Sequence, residues 1–259
     1  MDPTMQTRRL RVVYVSSAAA LHIDERKADE TLEMQGGGAY NTGQLFQGGH
    51  TVFDLHKFSL RAQEIIEAGG FLYGAGWSPA TSSNYSARID DANIAITVSG
   101  KHKGRLQAQD IMVVDLQGRA VASQMKSSAE TLLHTVIYDL KPNVGAVLHT
   151  HSVTATVLSR ALRPNTEIVF EDYELQKAFR GVYTHEGRCV VPIFDNTQDI
   201  EALSALSVEY LKEHSDCPGY LIRGHGMYTW GETMAECLRH VEAMEFLLAC
   251  ELEMMRIKS

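Results

Sequence analysis

The 259-residue sequence predicts an α/β fold, a mixed sheet covered by helices. Three observations carry that expectation. Short apolar runs of strand length alternate with longer stretches of helical periodicity. Some strand runs follow one another with only a turn between them, as hairpins do, so the sheet is not all parallel. From about Phe53 onward no linker or internal repeat interrupts the pattern, so residues 53–259 read as one domain.

Taken in order, residues 57–73 predict a helix, with Phe58, Ile65, Ile66, Phe71 and Leu72 for its core-facing side. Gly74, Gly76 and Pro79 end it. Strands are predicted over 83–89, 94–99 and 111–115, with Leu116-Gln117-Gly118-Arg119 as the turn after the third. A helix is predicted over 129–140, with Ser127 and Ser128 as cap candidates. The apolar run Val144 to Leu148 reads as a buried strand. A helix from Ser152 to about Leu162, a strand over 167–170, a strand over 190–194 and a helix over 199–213 follow. After the apolar run Tyr220-Leu221-Ile222, a long helix from Glu232 to about Ile257 closes the chain. Met234, Leu238, Val241, Met244 (or Glu245), Leu248 and Leu252 form its apolar stripe, which reads as core packing.

The first 52 residues differ from the rest. Arg8, Arg9 and Arg11 precede a mildly apolar run, Val12 to Leu21, which Ser16 and Ser17 interrupt. Charged residues follow, then Gly36-Gly37-Gly38 and a Gly/Gln-rich stretch. The run is too short and too interrupted for an export signal, and the expectation is a disordered extension. The glycine triplet lacks a following Gly-Lys-Ser/Thr and is no phosphate loop. The natural start is expected downstream of Met1. No methionine occurs between Met34 and Met112, so a start near Val52 would need a non-AUG codon.

Net charge is -8, with 22% charged and 44% hydrophobic residues. That balance points away from nucleic acid and anionic membranes, and no stretch has the length of a membrane span. Cys189, Cys217, Cys237 and Cys250 show no C-x-x-C spacing, so reduced thiols in a cytoplasmic protein are expected.

The chemistry concentrates in His149-Thr150-His151. In a strand, residues two apart face the same way, so both imidazoles can stand side by side at one strand end. His225, between Gly224 and Gly226 and also after an apolar run, could meet them there. Three imidazoles on one divalent ion leave a coordination position open, the arrangement of a catalytic zinc site. Three polar segments add donors: Thr81-Ser82-Ser83-Asn84, Ser99-Gly100-Lys101-His102-Lys103-Gly104, and Lys126-Ser127-Ser128. Each alone reads as a polar turn or cap; together they can cradle a phosphate.

The ordered set Thr81 to Asn84, Ile96 to Gly100, Ser128-Ala129-Glu130, His149 to Ser152 and His225-Gly226 resembles the class II aldolase/epimerase superfamily. Gly76 to Ser82, Ser99 to Gly104, Gln176-Lys177, Pro192-Ile193-Phe194 and Ile222 to Gly231 are similar to its sugar-phosphate dehydratase branch. The resemblance covers about residues 53–259, and the first 52 have no counterpart in it. It implies a three-layer α/β/α fold with a central mixed, largely antiparallel sheet, and a homotetramer with sites near subunit interfaces. It implies one Zn2+ per subunit on His149, His151 and His225. It implies Glu174 as catalytic acid/base, with Glu130 as competitor because related aldolases use the matching residue. Thr81, Asn84, Ser99, Gly100 and Ser128 match the phosphate-binding turns. Ser83 stands where many aldolases have glycine, and Ser127 where proline is common. The implied reaction is zinc-dependent dehydration of a small phosphorylated 5-methylthio-ketose in methionine salvage. A class II sugar-phosphate aldolase or epimerase is the alternative. A non-catalytic interaction module ranks last, because all three imidazoles are present.

Overall fold

The computed structural model describes residues 53–258 and, ahead of them, the backbone of four short strands. Arg11–Val13 pairs antiparallel with His22–Asp24, and Phe46–Gln47 with His50–Thr51. Apart from these pairings, the expectations for residues 1–52 lie outside the described residues.

Helix α1, Leu55–Gly74, begins where the Asp54 carboxylate accepts the Lys57 N–H at 3.0 Å, an N-cap that satisfies an otherwise orphan donor. It buries Ile65, Ala68 and Leu72. Phe71, expected on the core-facing side, instead lies largely exposed, edge-on to Trp77 at 6.2 Å. Strands β1 (Asn84–Arg88), β2 (Asn93–Thr97) and β3 (Ile111–Asp115) follow as an antiparallel meander.

Helix α2, Thr131–Leu140, starts two residues later than expected. Its N-cap position is Glu130, and neither Ser127 nor Ser128 takes that place. The Ser128 hydroxyl instead accepts the Glu130 N–H at 3.2 Å, one step ahead of the helix. Strand β4 covers Ala146–Thr150 rather than 144–148, so His149 lies inside the strand and His151 just beyond it. Then come α3 (Val153–Ala161), β5 (Glu167–Phe170), β6 (Cys189–Phe194), α4 (Ile200–Glu213) and β7 (Gly219–Ile222).

One strand went unread in the sequence. β8, Gly226–Gly231, pairs with both β4 and β7 and is fully buried. A tight turn through Gly224, at φ 69, joins it to β7, with the His225 N–H donating to the Ile222 carbonyl at 3.0 Å. Gly226 is required where β8 meets β4, because a side chain there would collide with the Thr150 carbonyl oxygen. The closing helix α5 is Met234–Lys258.

The eight strands run in the order β3-β2-β1-β4-β8-β7-β6-β5. Every neighbouring pair is antiparallel except β6–β7, where Ile193 pairs Leu221 in parallel. Helices cover both faces. Ile65 of α1, Leu158 of α3, and Val241 and Met244 of α5 pack with Tyr85, Val113, Leu148 and Leu221. Leu133 and Ile137 of α2, and Leu203 and Leu211 of α4, pack with Ile94, Val147, Tyr220 and Tyr228 on the other face. This is the expected three-layer α/β/α arrangement around a mixed, largely antiparallel sheet. Each fully buried Leu or Ile contributes about 1.5–3 kcal/mol relative to exposure, so both cores are needed to hold the sheet between them.

Candidate metal centre and active site

β4 carries His149 into the sheet interior, and the chain leaving β4 carries His151. The His151 N–H donates to the Trp77 carbonyl at 2.8 Å, which fixes the backbone after the strand. His225 sits in the β7–β8 turn, and α3 holds that turn. Ser159 Oγ accepts the Gly224 N–H at 2.9 Å, and Thr156 Oγ1 donates to the His225 carbonyl at 3.1 Å. Arg223 is buried beside it and reaches Asp195, the Ser159 carbonyl and the Asn165 carbonyl at 2.6–2.8 Å.

The three rings converge. Their centroids are 4.5 Å (His149–His151), 5.0 Å (His149–His225) and 4.6 Å (His151–His225) apart, and one ligand atom from each lies within 4.8 Å of the others. His149 Nδ1 is 2.9 Å from the Met227 carbonyl, which only accepts, so Nδ1 carries the proton. Nε2 of His149 then presents a lone pair, and it is buried with no hydrogen-bond partner. An orphan buried acceptor among three imidazoles fits a bound metal ion, with the Met227 carbonyl orienting the ring from behind. Burial, then the neighbouring imidazoles, holds His149 well below the ordinary histidine range. Burial, then His225 and the Lys103 ammonium, lowers His151 to about 4. Neutral imidazoles are the metal-binding form.

Glu130 faces the same cluster. Its Oε1 is 3.2 Å from His225 Nε2, and its Oε2 is 3.4 Å from His149 Nε2. Asn84 Nδ2 donates to Glu130 Oε2 at 2.8 Å and to Ser128 Oγ at 3.2 Å, and the Tyr228 hydroxyl donates to Oε2 at 3.3 Å. The chain of contacts continues behind Asn84. Its Oδ1 accepts from His134 Nε2, so His134 Nδ1 accepts from the Ser86 hydroxyl at 2.7 Å. Burial alone holds His134 neutral, with its pKa lowered to about 3.

The other sequence-predicted residues fall at varying distances from this cluster. Asn84 and Ser128 join it through Glu130. Ser99 N–H donates to the Lys126 carbonyl at 3.0 Å, which sets the Ser99-Gly100 turn beside the Ser127–Ser128 segment. Gly100 has φ 73, with open space where a side chain would point. Thr81 lies in the turn before β1, and its carbonyl accepts from Lys103. Ser83 has φ 71, so a serine keeps the left-handed backbone that glycine adopts freely. Its hydroxyl donates to Ser78 Oγ at 3.0 Å, which helps offset the strain. Glu174 is not brought to the imidazoles. It opens a short 3-10 helix, Glu174–Ala178, with its side chain 71% exposed. It pairs with Lys177 and lies 3.6 Å from His185 Nδ1; the hydrogen bond from Lys177 draws its pKa down.

Three residues of the site carried no assigned role in the sequence. Tyr228 stacks on His149 at 4.1 Å and 16°, Asn196 Oδ1 faces His225 Nδ1 at 3.4 Å, and His134 supports Asn84. The alternation of β8 was the available signal for Tyr228; nothing local marks Asn196. A cleft of about 510 Å³ opens over His151 and His225, with Pro79, Val153, Val157 and Asn196 in its walls.

A three-layer α/β/α fold that gathers three imidazoles and a carboxylate at the end of a central strand defines the class II aldolase type. Residues 63–252 match the family of class II aldolase and adducin N-terminal domains. The l-fuculose-1-phosphate aldolase of Thermus thermophilus shares the fold at a TM-score of 0.62 and 23% identity, over 76% of this chain and 96% of its own. The methylthioribulose-1-phosphate dehydratase of Marinobacter nauticus is 65% identical over 207 residues, 80% of this chain and all of the relative. That of Pseudomonas syringae pv. tomato is 62% identical over 74% of this chain and 94% of its own. The chain belongs to the class II aldolase family and, within it, to the methylthioribulose-1-phosphate dehydratases.

Proposed function

We propose that this protein dehydrates 5-methylthioribulose 1-phosphate to 2,3-diketo-5-methylthiopentyl 1-phosphate in methionine salvage, as a zinc-dependent hydro-lyase. The observation that carries this is the trio His149, His151 and His225 with an orphan Nε2 beside a carboxylate, in a chain 65% identical to a protein of that name. His149, His151 and His225 would hold one zinc ion, which supplies positive charge to polarise the C2 ketone. Among the described residues no helix is long and apolar enough to cross a membrane. The working form we propose is a cytoplasmic homotetramer.

The residues divide the work. Thr81, Asn84, Ser99, Gly100 and Ser128 bind and orient the C1 phosphate with hydroxyls, an amide and turn N–H groups. Glu174 takes the C3 proton. The electron pair of that C–H bond forms the C3–C4 double bond as the C4–O bond breaks, and the C4 hydroxyl leaves as water with the proton Glu174 returns. The resulting enol at C3 tautomerises to the second ketone, so atoms balance without any oxidant. His149, buried against Tyr228, keeps bulk water from one side of the centre.

A second reading is favoured by the position of Glu130, the carboxylate that touches the imidazoles in this protomer. A class II sugar-phosphate aldolase or epimerase would move the proton there. Incubating the purified protein with 5-methylthioribulose 1-phosphate and with an aldol sugar phosphate separates the two. The diketone from the first supports the dehydratase; carbon–carbon cleavage of the second without any diketone sinks it.

A further inference from the structure

Lys103 is a lysine only 2% exposed, at the edge of the candidate site. Lysine is almost never fully buried without a partner. Its Nζ donates to two backbone carbonyls, Lys101 at 2.7 Å and Thr81 at 3.4 Å. The nearby carboxylate, Asp110, is engaged elsewhere. Its Oδ1 pairs with Lys101 Nζ at 2.8 Å, and its Oδ2 accepts the Gln107 N–H at 3.1 Å. Burial outweighs the attraction of Asp110 and brings the Lys103 pKa down to about 8.

The scaffold around this lysine is built to hold it. Gly69 of α1 lets the Lys103 carbonyl approach the helix, and a side chain at either Gly69 or Gly104 would collide with its neighbour. Tyr73 packs on His102 at 4.6 Å between ring centroids. The ammonium thus sits between two turns, one carrying Thr81 and one carrying Ser99 and Gly100. The Thr81 turn leads within three residues to Asn84, which holds Glu130 at the imidazoles. A fixed positive charge beside a cation-binding cluster is unfavourable by itself. An anion lying between the two satisfies both.

We propose that Lys103 is the charged anchor for the substrate's phosphate, a binding residue beyond the hydroxyls and turn amides assigned above. The inference rests on the phosphorylated-substrate reading of this site. A phosphate ester one carbon from a ketone held at the imidazoles must lie within a few ångströms of them. The ammonium is bonded to the Thr81 and Lys101 carbonyls, on the two turns assigned to that phosphate. Its remaining donor makes a charge-assisted hydrogen bond to the phosphate.

The test uses the full-length, zinc-loaded protein and inorganic phosphate as probe, with affinity read by calorimetry. Lys103→Met should weaken phosphate binding by about tenfold or more, the scale of one charge-assisted hydrogen bond lost. Zinc content should stay at the wild-type level, and KM should rise far more than kcat falls. Lys212→Met, an exposed charge loss on α4, should leave phosphate affinity unchanged. If Lys103→Met does not fold, Lys103→Gln takes its place, because its amide can still donate to the two carbonyls without the charge. Wild-type phosphate affinity in the folded variant, or no phosphate binding by the wild-type protein, overturns the proposal. If the charge dependence appears but no diketone forms, the anion site stands and the dehydratase reading fails. If the diketone forms and the variant binds phosphate normally, the anchor alone is wrong.

Discussion

Glu130 is held at the imidazoles by Asn84, Tyr228 and its own N–H on Ser128, whereas Glu174 stands on the surface beside Lys177 and His185. The first carboxylate is positioned by strands and a helix, the second by a short 3-10 turn. A fixed carboxylate is suited to holding a ligand or orienting a bound group. An exposed one is free to swing, but in this chain it does not meet the imidazoles. Adjacency to the imidazole cluster and freedom to move are separate properties, and in this chain they fall on different glutamates.

The comparison breaks most visibly if its centre is removed. His151→Ala should abolish metal binding and cut turnover by roughly a thousandfold or more, since the polarising ion is lost. The fold should survive, because it is the backbone of residue 151 that bonds Trp77. Full metal content in that variant would falsify the ligand assignment. Next in size is the exchange of the two carboxylates for amides. Glu174→Gln should lose roughly a hundredfold in turnover with metal retained, the usual scale for a missing general acid/base. Glu130→Gln should lose less. The reverse ranking would move the proton transfer to Glu130 and favour the aldolase reading.

Acid sharpens the same contrast through stability. His134, behind Asn84 and Glu130, is buried and neutral, with its folded pKa at about 3 against an ordinary 6.5. The unfolded chain therefore binds a proton that the folded chain refuses. Stability is complete above about pH 6.5 and falls below it by up to about 1.4 kcal/mol per pH unit down to the folded value. His134→Gln should flatten that slope in urea titrations at stepped pH; an unchanged slope would assign acid sensitivity elsewhere. Glu174 has a folded pKa drawn down by Lys177, so its contribution is present above its unfolded value and fades only below it, in a more acid window. The smallest effect is expected from the N-terminal segment. Phe53 packs on Phe58 at 5.7 Å and Asp54 caps α1, while none of the assigned residues precedes Thr81. A chain starting near Thr51 should keep wild-type zinc content and activity. Loss of either on trimming would show that the segment supports the domain.

Much of the architecture could be read from periodicity, because buried strands such as Ile111–Asp115 carry continuous apolar runs. β8 escaped because it lies directly after a three-residue turn and is bounded by glycines, so Gly226–Gly231 reads as loop. The His-x-His spacing was legible, since it needs only the two-residue period of a strand. That Glu130 and not Glu174 would meet those rings was not, because contact between residues 130 and 225 depends on which strands become neighbours. Lys103, flanked by polar residues and a glycine, reads as a solvated turn. Only the packing of α1 against it reveals a buried charge.

Four strands lie on each side of the line where β4 meets β8, and His149 sits on that line, paired with Tyr228. The edges of the sheet, β3 and β5, are three strands away on either side. Fraying begins at edges and termini, and the middle of a sheet opens last, in the same events that open the whole domain. Of the three rings only His149 is held there; His151 and His225 stand on the segments beyond the strands, under the open cleft, so a metal ion at the cluster could leave while the middle of the sheet stays closed. Amide exchange along β4 should therefore be far slower than the release of metal to a chelator, and equal rates would show that the cleft does not let the ion out.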